Sequence, residues 1–155
     1  MAVTVGSKAP EFTLPNQDRE PVTLSQQLGK GPVVLAFFPA AFSSVCTTEL
    51  CTFRDGMAAF GRVGATVLGI SVDTFFALKA YADAQQLTFP LLSDFNKTVI
   101  RDFGVFNEDM IGLKGIAKRA VFVIDRNGIV RHREVLEDAR QEPDYAALTA
   151  AVAAL

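Results

Sequence analysis

The segment VVLAFFPAAFSSVCTTELCTFR, Val33–Arg54, contains in succession the signals for a strand, a loop and a helix. It opens with an apolar run rich in β-branched and aromatic side chains and closed by Pro39, a pattern typical of a fully buried strand. Ser43 and Ser44 then predict the N-cap of a helix. Cys46 would lie in the first turn of that helix, where free backbone N–H groups and the helix dipole favour a thiolate. Because sites collect at the carboxyl ends of strands in open α/β sheets, we predict a reactive thiol here rather than a buried structural one.

The rest of the chain alternates strand-like and helix-like segments. A hairpin is predicted near the N-terminus, the helix after Ser43 or Ser44 is expected to run to Phe60, and an Asn-Gly turn predicts a late hairpin. The predicted segments are strands 12–14, 21–24 and 33–38, helix 43–60, strand 65–72, helix 75–86, strand 89–94, helix 97–103, loop 105–118, strands 120–124 and 129–135, and helix 145–155. This order predicts an α/β fold in one domain, residues 1–155, with a central mixed sheet flanked by helices.

The composition narrows the possible functions. Fifteen basic and seventeen acidic side chains give a formal net charge of −2, which offers no electrostatic footprint for nucleic acid or an anionic membrane. The apolar segments are too short to span a bilayer, and Met1–Lys8 lacks the pattern of a signal peptide, so a cytoplasmic protein is expected. Two cysteines and the single His132 are too few ligands for a closed zinc site. The sequence also lacks a P-loop or dinucleotide-binding glycine pattern, so no cofactor is expected.

Pro39, Phe42, Ser43 and Cys46 resemble the active-site pattern Pro-x-x-x-(Thr/Ser)-x-x-Cys of the peroxiredoxin family, and Glu49 occupies a position where that family often has Glu. The resemblance implies a thiol-dependent peroxidase that reduces hydrogen peroxide and alkyl hydroperoxides through a cysteine sulfenic acid. It further implies recycling by a thioredoxin- or glutaredoxin-type reductant.

Two flanking stretches extend this resemblance over nearly the whole chain. They are APEFTL at residues 9–14 and RAVFVID at residues 119–125. Together with the central pattern they imply a thioredoxin-like fold with an N-terminal β-hairpin extension. The expected assembly is a monomer or a small homo-oligomer.

The resemblance also implies roles around Cys46. Arg119, at the start of a predicted strand, would place a fixed positive charge beside the sulfur and stabilise charge that develops in the transition state; the alternative is a surface ion pair. Ser43 would turn its hydroxyl toward the sulfur or the substrate, unless it serves only as an N-cap. Pro39 would shield the sulfur from water, and Glu49 would orient the arginine.

Cys51 determines the subclass. Its spacing from Cys46 resembles that of the PrxQ and bacterioferritin-comigratory branch, where the second thiol resolves the sulfenic acid as an intramolecular disulfide. On an intact helix this spacing corresponds to about 7.5 Å of rise and roughly 140° of rotation. The two Cα atoms would then be roughly 8 to 9 Å apart, beyond the usual limit of about 7 Å for a disulfide. The bridge therefore requires residues 43–53 to unwind.

Other hypotheses stay open at this point. FPLLSD at residues 89–94 and GVFNE at residues 104–108 resemble the AhpE branch, whose members often work with one cysteine. In that case an external thiol resolves Cys46, and Cys51 is an apolar helix residue. A thioredoxin-like disulfide oxidoreductase is disfavoured because the chain has no Cys-x-x-Cys motif. A redox-responsive holdase, in which oxidation exposes apolar helix surface, is the candidate from a different functional class.

Overall fold

The computed structural model describes residues 3–155. The first two residues of the segment Met1–Lys8, which was predicted to lack the pattern of a signal peptide, lie outside the described residues. In chain order the elements are β1 (Thr13–Pro15), β2 (Pro21–Thr23), α1 (Leu24–Leu28), β3 (Val33–Phe37), α2 (Ser44–Asp55), α3 (Met57–Arg62), β4 (Thr66–Ser71), α4 (Phe75–Gln85), β5 (Leu91–Ser93), α5 (Thr98–Asp102), β6 (Phe106–Asn107), β7 (Ile116–Ala117), β8 (Arg119–Ile124), β9 (Val130–Leu136) and α6 (Tyr145–Ala153).

A five-stranded sheet with the order β5-β4-β3-β8-β9 forms the centre of the structure. The strands β3, β4 and β5 are parallel, whereas β8 is antiparallel to β3 and β9 is antiparallel to β8. All of β3 is buried because both of its neighbours pair with it along its length, as its unbroken apolar run predicts. The predicted mixed sheet is confirmed, and the antiparallel pair β1–β2 is the predicted N-terminal hairpin.

Apolar clusters cover both faces of the central sheet. On one face Phe37, Phe103 and Phe122 pack with ring centroids 5.3 to 5.7 Å apart, and tilted or edge-on ring contacts add to the stabilisation that burial provides. On the other face α2 contributes Leu50 and Phe53, which are three residues apart and therefore lie on one side of the helix. This packing fixes the helix that carries the candidate thiol against the sheet.

The prediction of one helix running to Phe60 is wrong, because the helix is interrupted at Gly56. This glycine has φ −89° and ψ 1°, so α2 ends at Asp55 and α3 begins at Met57. Glycine has low helix propensity, and a helix readily ends there. Phe60 on α3 packs against Phe53 on α2, with ring centroids 6.2 Å apart.

The segment Val105–Lys118, predicted as a loop, contains the short antiparallel pair β6–β7. Phe106 pairs with Ala117, and the guanidinium of Arg101 lies 4.0 Å from the Phe106 ring centroid. Strands of two residues are too short to give a periodic signal in the sequence. The pairing turns the intervening residues into a hairpin that stands beside the candidate site.

The helices are short. The longest, α2, has 12 residues and a length of roughly 18 Å. Within residues 3–155, no helix combines the length and the apolar character needed to cross a bilayer.

Candidate active site

Cys46 lies in the first turn of α2, and its side chain has no exposed surface. The backbone of Ser43 is extended, with φ −71° and ψ 150°, and the helix begins at Ser44. The thiol therefore belongs to the third helical residue, close to the N–H groups that have no partner within the helix. These groups and the helix dipole favour negative charge on the sulfur.

Arg119 opens β8, is 1% exposed and points its guanidinium at the sulfur. Its Nη2 donates a hydrogen bond to Sγ of Cys46 at 3.2 Å, and its Nη1 donates to Oε2 of Glu49. Nε and Nη2 also donate to the carbonyl of Ala139, at 3.2 and 3.0 Å. These bonds fix the plane of the guanidinium, and a fixed cation beside the sulfur stabilises a thiolate.

Glu49 lies one helical turn after Cys46 and is fully buried. Burial raises the pKa of Glu49 to about 7, although the charge and hydrogen bond of Arg119 act in the opposite direction. Desolvation acts to lower the pKa of Arg119, but Glu49 and Cys46 raise it overall, so the guanidinium stays charged. Among residues 3–155, Oε1 of Glu49 finds no hydrogen-bonding partner. The cluster thus contains one permanent cation and two acidic groups that compete for it.

Pro39, Ser43 and Arg119 line one cleft of about 680 Å³. Ser43 is the N-cap residue of α2, as predicted, but its hydroxyl donates to the carbonyl of Ala40 at 3.1 Å and accepts no helix N–H, so it does not cap the helix with its side chain. The hydroxyl points toward the preceding loop, where the Ala40 carbonyl accepts its hydrogen bond. As a donor it keeps its oxygen lone pairs available to a ligand.

The loop between β3 and α2 is held by Asp73. Its Oδ2 accepts the backbone N–H of Ala41 at 2.8 Å and the hydroxyl of Ser71 at 2.6 Å. Phe42 in this loop has φ 70°, a left-handed conformation that is unfavourable for a bulky residue. Strained residues persist where surrounding contacts hold them, so we infer that Asp73 maintains the approach to the thiol.

Sequence reasoning missed this role because Asp73 resembles a helix cap. Thr74 is the cap in the structure, accepting the N–H of Ala77. The available signal was the position of Asp73 directly after β4, since the carboxyl ends of the parallel strands β3 and β4 meet at one edge of the sheet.

Cys51 is half-buried on the same helix as Cys46, and both are free thiols. Its Sγ lies 3.7 Å from Oε1 of Gln85 on α4. The helix is unbroken from Ser44 to Asp55, so the two sulfurs project from different sides of it. Within the described part of the chain, no group of three or more His, Cys, Asp or Glu residues could hold a metal ion.

Residues 5–133 match the AhpC/TSA family. The chain belongs to this family, the peroxiredoxins. This peroxiredoxin is 41% identical over 155 residues to alkyl hydroperoxide reductase E of Mycobacterium tuberculosis, covering 99% of this chain and 98% of that protein. It is 43% identical over 129 residues to the chloroplastic peroxiredoxin Q of Sedum lineare, covering 83% of this chain and 67% of that protein.

A solved structure extends the comparison to the fold of this peroxiredoxin. Peroxidoxin BcpB from Mycobacterium tuberculosis has a TM-score of 0.90 at 35% identity, covering 99% of this chain and 98% of that one. The thioredoxin-like fold that the sequence resemblance implied is therefore confirmed. Peroxiredoxins are peroxidases, and membership implies a peroxide substrate and a thiol reductant. The relatives include both branches that the sequence resembled.

Proposed function

We propose that the Cys46 thiolate reduces hydrogen peroxide and alkyl hydroperoxides. The sulfur attacks the terminal oxygen of the peroxide, and an S–O bond forms as the O–O bond breaks. The leaving hydroxide or alkoxide takes up a proton and departs as water or an alcohol. Cys46 is oxidised to a sulfenic acid, and the peroxide is reduced by two electrons.

The contact between Arg119 and Cys46, 3.2 Å from Nη2 to Sγ, is the observation that carries this proposal. The guanidinium stabilises the thiolate before the reaction and the charge on the peroxide oxygens during it. Glu49 holds the guanidinium from the other side. Ser43 would contact the peroxide through its hydroxyl oxygen, and Pro39 would restrict water at the sulfur, since both line the cleft.

We further propose that Cys51 resolves the sulfenic acid. Its sulfur attacks the sulfur of Cys46, an S–S bond forms, the S–O bond breaks, and the oxygen leaves as water. A thioredoxin- or glutaredoxin-type dithiol then reduces the disulfide by exchange. The spacing of Cys51 from Cys46 and the 43% identity to a chloroplastic peroxiredoxin Q support this role. Because α2 is unbroken, this step requires unwinding around residues 43–53.

A one-cysteine, AhpE-like mechanism is the second candidate. The continuity of α2 and the contact of the Cys51 sulfur with Gln85 favour it, because neither brings the two thiols together. An external thiol would then attack the Cys46 sulfenic acid. Identity of 41% to alkyl hydroperoxide reductase E adds support.

The setting of the enzyme is proposed from the sequence. We propose one catalytic domain over residues 1–155 that acts in the cytoplasm as a monomer or a small homo-oligomer. The near balance of acidic and basic side chains supports a protein without nucleic-acid or membrane partners.

Intact mass after one equivalent of hydrogen peroxide tests these steps on the wild type and on Cys51→Ser. We expect a loss of about 2 Da in the wild type, for the disulfide, and a gain of about 16 Da in the variant, for the sulfenic acid. Equal accumulation of sulfenic acid in both proteins assigns the one-cysteine mechanism. If Cys46 fails to react in either protein, the peroxidase proposal is wrong.

A further inference from the structure

The hairpin beside the cleft ends in an unusual turn. The backbones of Met110 and Leu113 exchange two hydrogen bonds, at 3.0 and 2.9 Å, so Ile111 and Gly112 form a two-residue loop. Their φ values are 49° and 87°. Two positive φ values characterise the type I′ hairpin turn, in which Asn, Asp and Gly are the favoured residues.

Ile111 fits neither this turn nor a solvated surface. A β-branched residue at positive φ is a genuine outlier, because its Cβ crowds the backbone. Its side chain is also 90% exposed, the highest value among the large apolar residues described as exposed. Strain of this kind tends to collect at ligand clamps and active sites. The strain and the exposure of Ile111 together indicate that its side chain contacts a ligand.

The tip of the turn lies on the cleft that Ser43 and Arg119 line. Met110 and Ile111 line this cavity of about 680 Å³ together with Ser43 and Arg119. The cleft therefore leaves room for an organic substituent of a peroxide bound at the guanidinium to reach the turn. The substituent, and not the peroxide group, would meet the apolar side chain.

The charges on the cleft favour an uncharged substituent. Asp109, Glu137 and Asp138 line it, whereas the exposed cation Arg140 is paired with Asp138 through two hydrogen bonds of 3.0 and 2.9 Å. Each of these carboxylates has a basic partner, because Asp109 pairs with Lys114, Glu137 with Lys118 and Asp138 with Arg140. The paired charges leave no excess charge to attract an ionic substituent, so the exposed apolar side chain favours an uncharged one.

We propose that Ile111 determines specificity by contacting the apolar group of an uncharged organic hydroperoxide. This inference rests on the proposed peroxidase function of Cys46. The contact removes apolar surface of both the side chain and the substrate from water, and that stabilisation is absent for hydrogen peroxide. Ile111 therefore raises reactivity toward organic hydroperoxides relative to hydrogen peroxide.

The test compares second-order rate constants for oxidation of Cys46 by cumene hydroperoxide and by hydrogen peroxide. Ile111→Asn and Ile111→Gly remove the apolar contact but suit the turn, so both are expected to fold with an equal or higher Tm. In each, the ratio of cumene hydroperoxide to hydrogen peroxide reactivity should fall by about fivefold, whereas Ile111→Leu should stay close to the wild type. Val5→Asn, a polar substitution at another exposed apolar residue, is the matched control and should leave the ratio unchanged.

A folded Ile111→Asn variant with a wild-type ratio would overturn the role of Ile111. Faster reaction of a para-carboxylated cumene hydroperoxide than of cumene hydroperoxide, at low salt, would overturn the preference for uncharged substituents. Failure of the wild type to react with hydrogen peroxide at all would instead contradict the proposed function, so the two failures are distinguishable.

Discussion

The guanidinium of Arg119 lies 3.2 Å from the sulfur of Cys46, although 73 positions separate the two residues in the chain. The contact forms because β8 runs antiparallel to β3, which brings the first residue of β8 to the end of the sheet where α2 begins. A cation fixed in this way is in place before any substrate arrives. Preorganised charge of this kind is usually the largest single contribution to catalysis.

Replacement of Arg119 tests that contribution. Arg119→Lys keeps a positive charge but cannot bridge Cys46 and Glu49 in one plane, so we expect the rate constant for peroxide oxidation to fall by about 100-fold. Stopped-flow measurement with hydrogen peroxide gives the rate constant, and Tm shows whether the variant is folded. Arg131→Met removes an exposed arginine paired with Asp125 and should change the rate by less than about twofold. A similar rate for Arg119→Lys and the wild type would contradict the prediction.

The buried Glu49 should make stability depend on pH. Its pKa is raised from 4.5 to about 7 in the folded protein, so the folded state holds the proton more tightly than the unfolded chain. The contribution of this group to stability is therefore fully present below about pH 4.5 and is lost as the pH rises through about 7. Glu49→Gln cannot titrate and should lack this dependence.

Urea unfolding gives the measurement for Glu49. Both proteins carry Cys46→Ser, so that ionisation of the catalytic thiol does not contribute. From about pH 5 to about pH 8, the parent should lose on the order of 2 kcal/mol relative to Glu49→Gln. A constant difference between the two proteins across this range would show that Glu49 is ionised throughout.

Loss of the Asp73 carboxylate should loosen the loop before Cys46. Asp73→Ala leaves the N–H of Ala41 and the hydroxyl of Ser71 without their acceptor, and we expect destabilisation by about 1 to 3 kcal/mol. Peroxide reactivity of the thiol should fall as well, because the loop leads directly into α2. Asp83→Ala removes an exposed acidic residue that pairs with Lys79 and serves as the control. Unchanged reactivity in a folded Asp73→Ala protein would argue against a positioning role.

Formation of the disulfide should unwind the start of α2. After complete oxidation to the Cys46–Cys51 bridge, backbone amides in residues 43–53 should exchange with deuterium faster than in the reduced protein, because the helical hydrogen bonds are lost. The amides of the buried strand β4 provide an internal reference that should stay protected. Identical exchange of residues 43–53 in both redox states would rule out the unwinding.

Much of the fold could be predicted from local signals. The strand β3 is apolar at every position, which only a buried strand or helix tolerates, and Pro39 closes it. The hairpin β8–β9 follows from Asn127-Gly128, residues that suit a tight turn. The end of α2 before Gly56 was harder to predict, because a single glycine inside a periodic apolar pattern is compatible with both a continuous and a broken helix.

The candidate site was predictable only in part. The position of Cys46 at the start of a helix after a strand is a local property and could be inferred directly. The contact with Arg119 depends on the pairing of strands that are distant in sequence, and only the family resemblance implied it. The turn at Ile111 could not be predicted, because a type I′ turn is usually recognised by Asn, Asp or Gly at its first position.

The break at Gly56 limits how far a rearrangement at the thiol can spread. Helical order is cooperative along an uninterrupted hydrogen-bond ladder, so a helix continuous beyond Asp55 would transmit fraying from Cys46 to Phe60. Phe60 is only 6% exposed and helps to cover the sheet. Because α2 and α3 are separate helices on either side of Gly56, the unwinding proposed for residues 43–53 would stay within α2, and Phe60 on α3 would keep its place against the sheet.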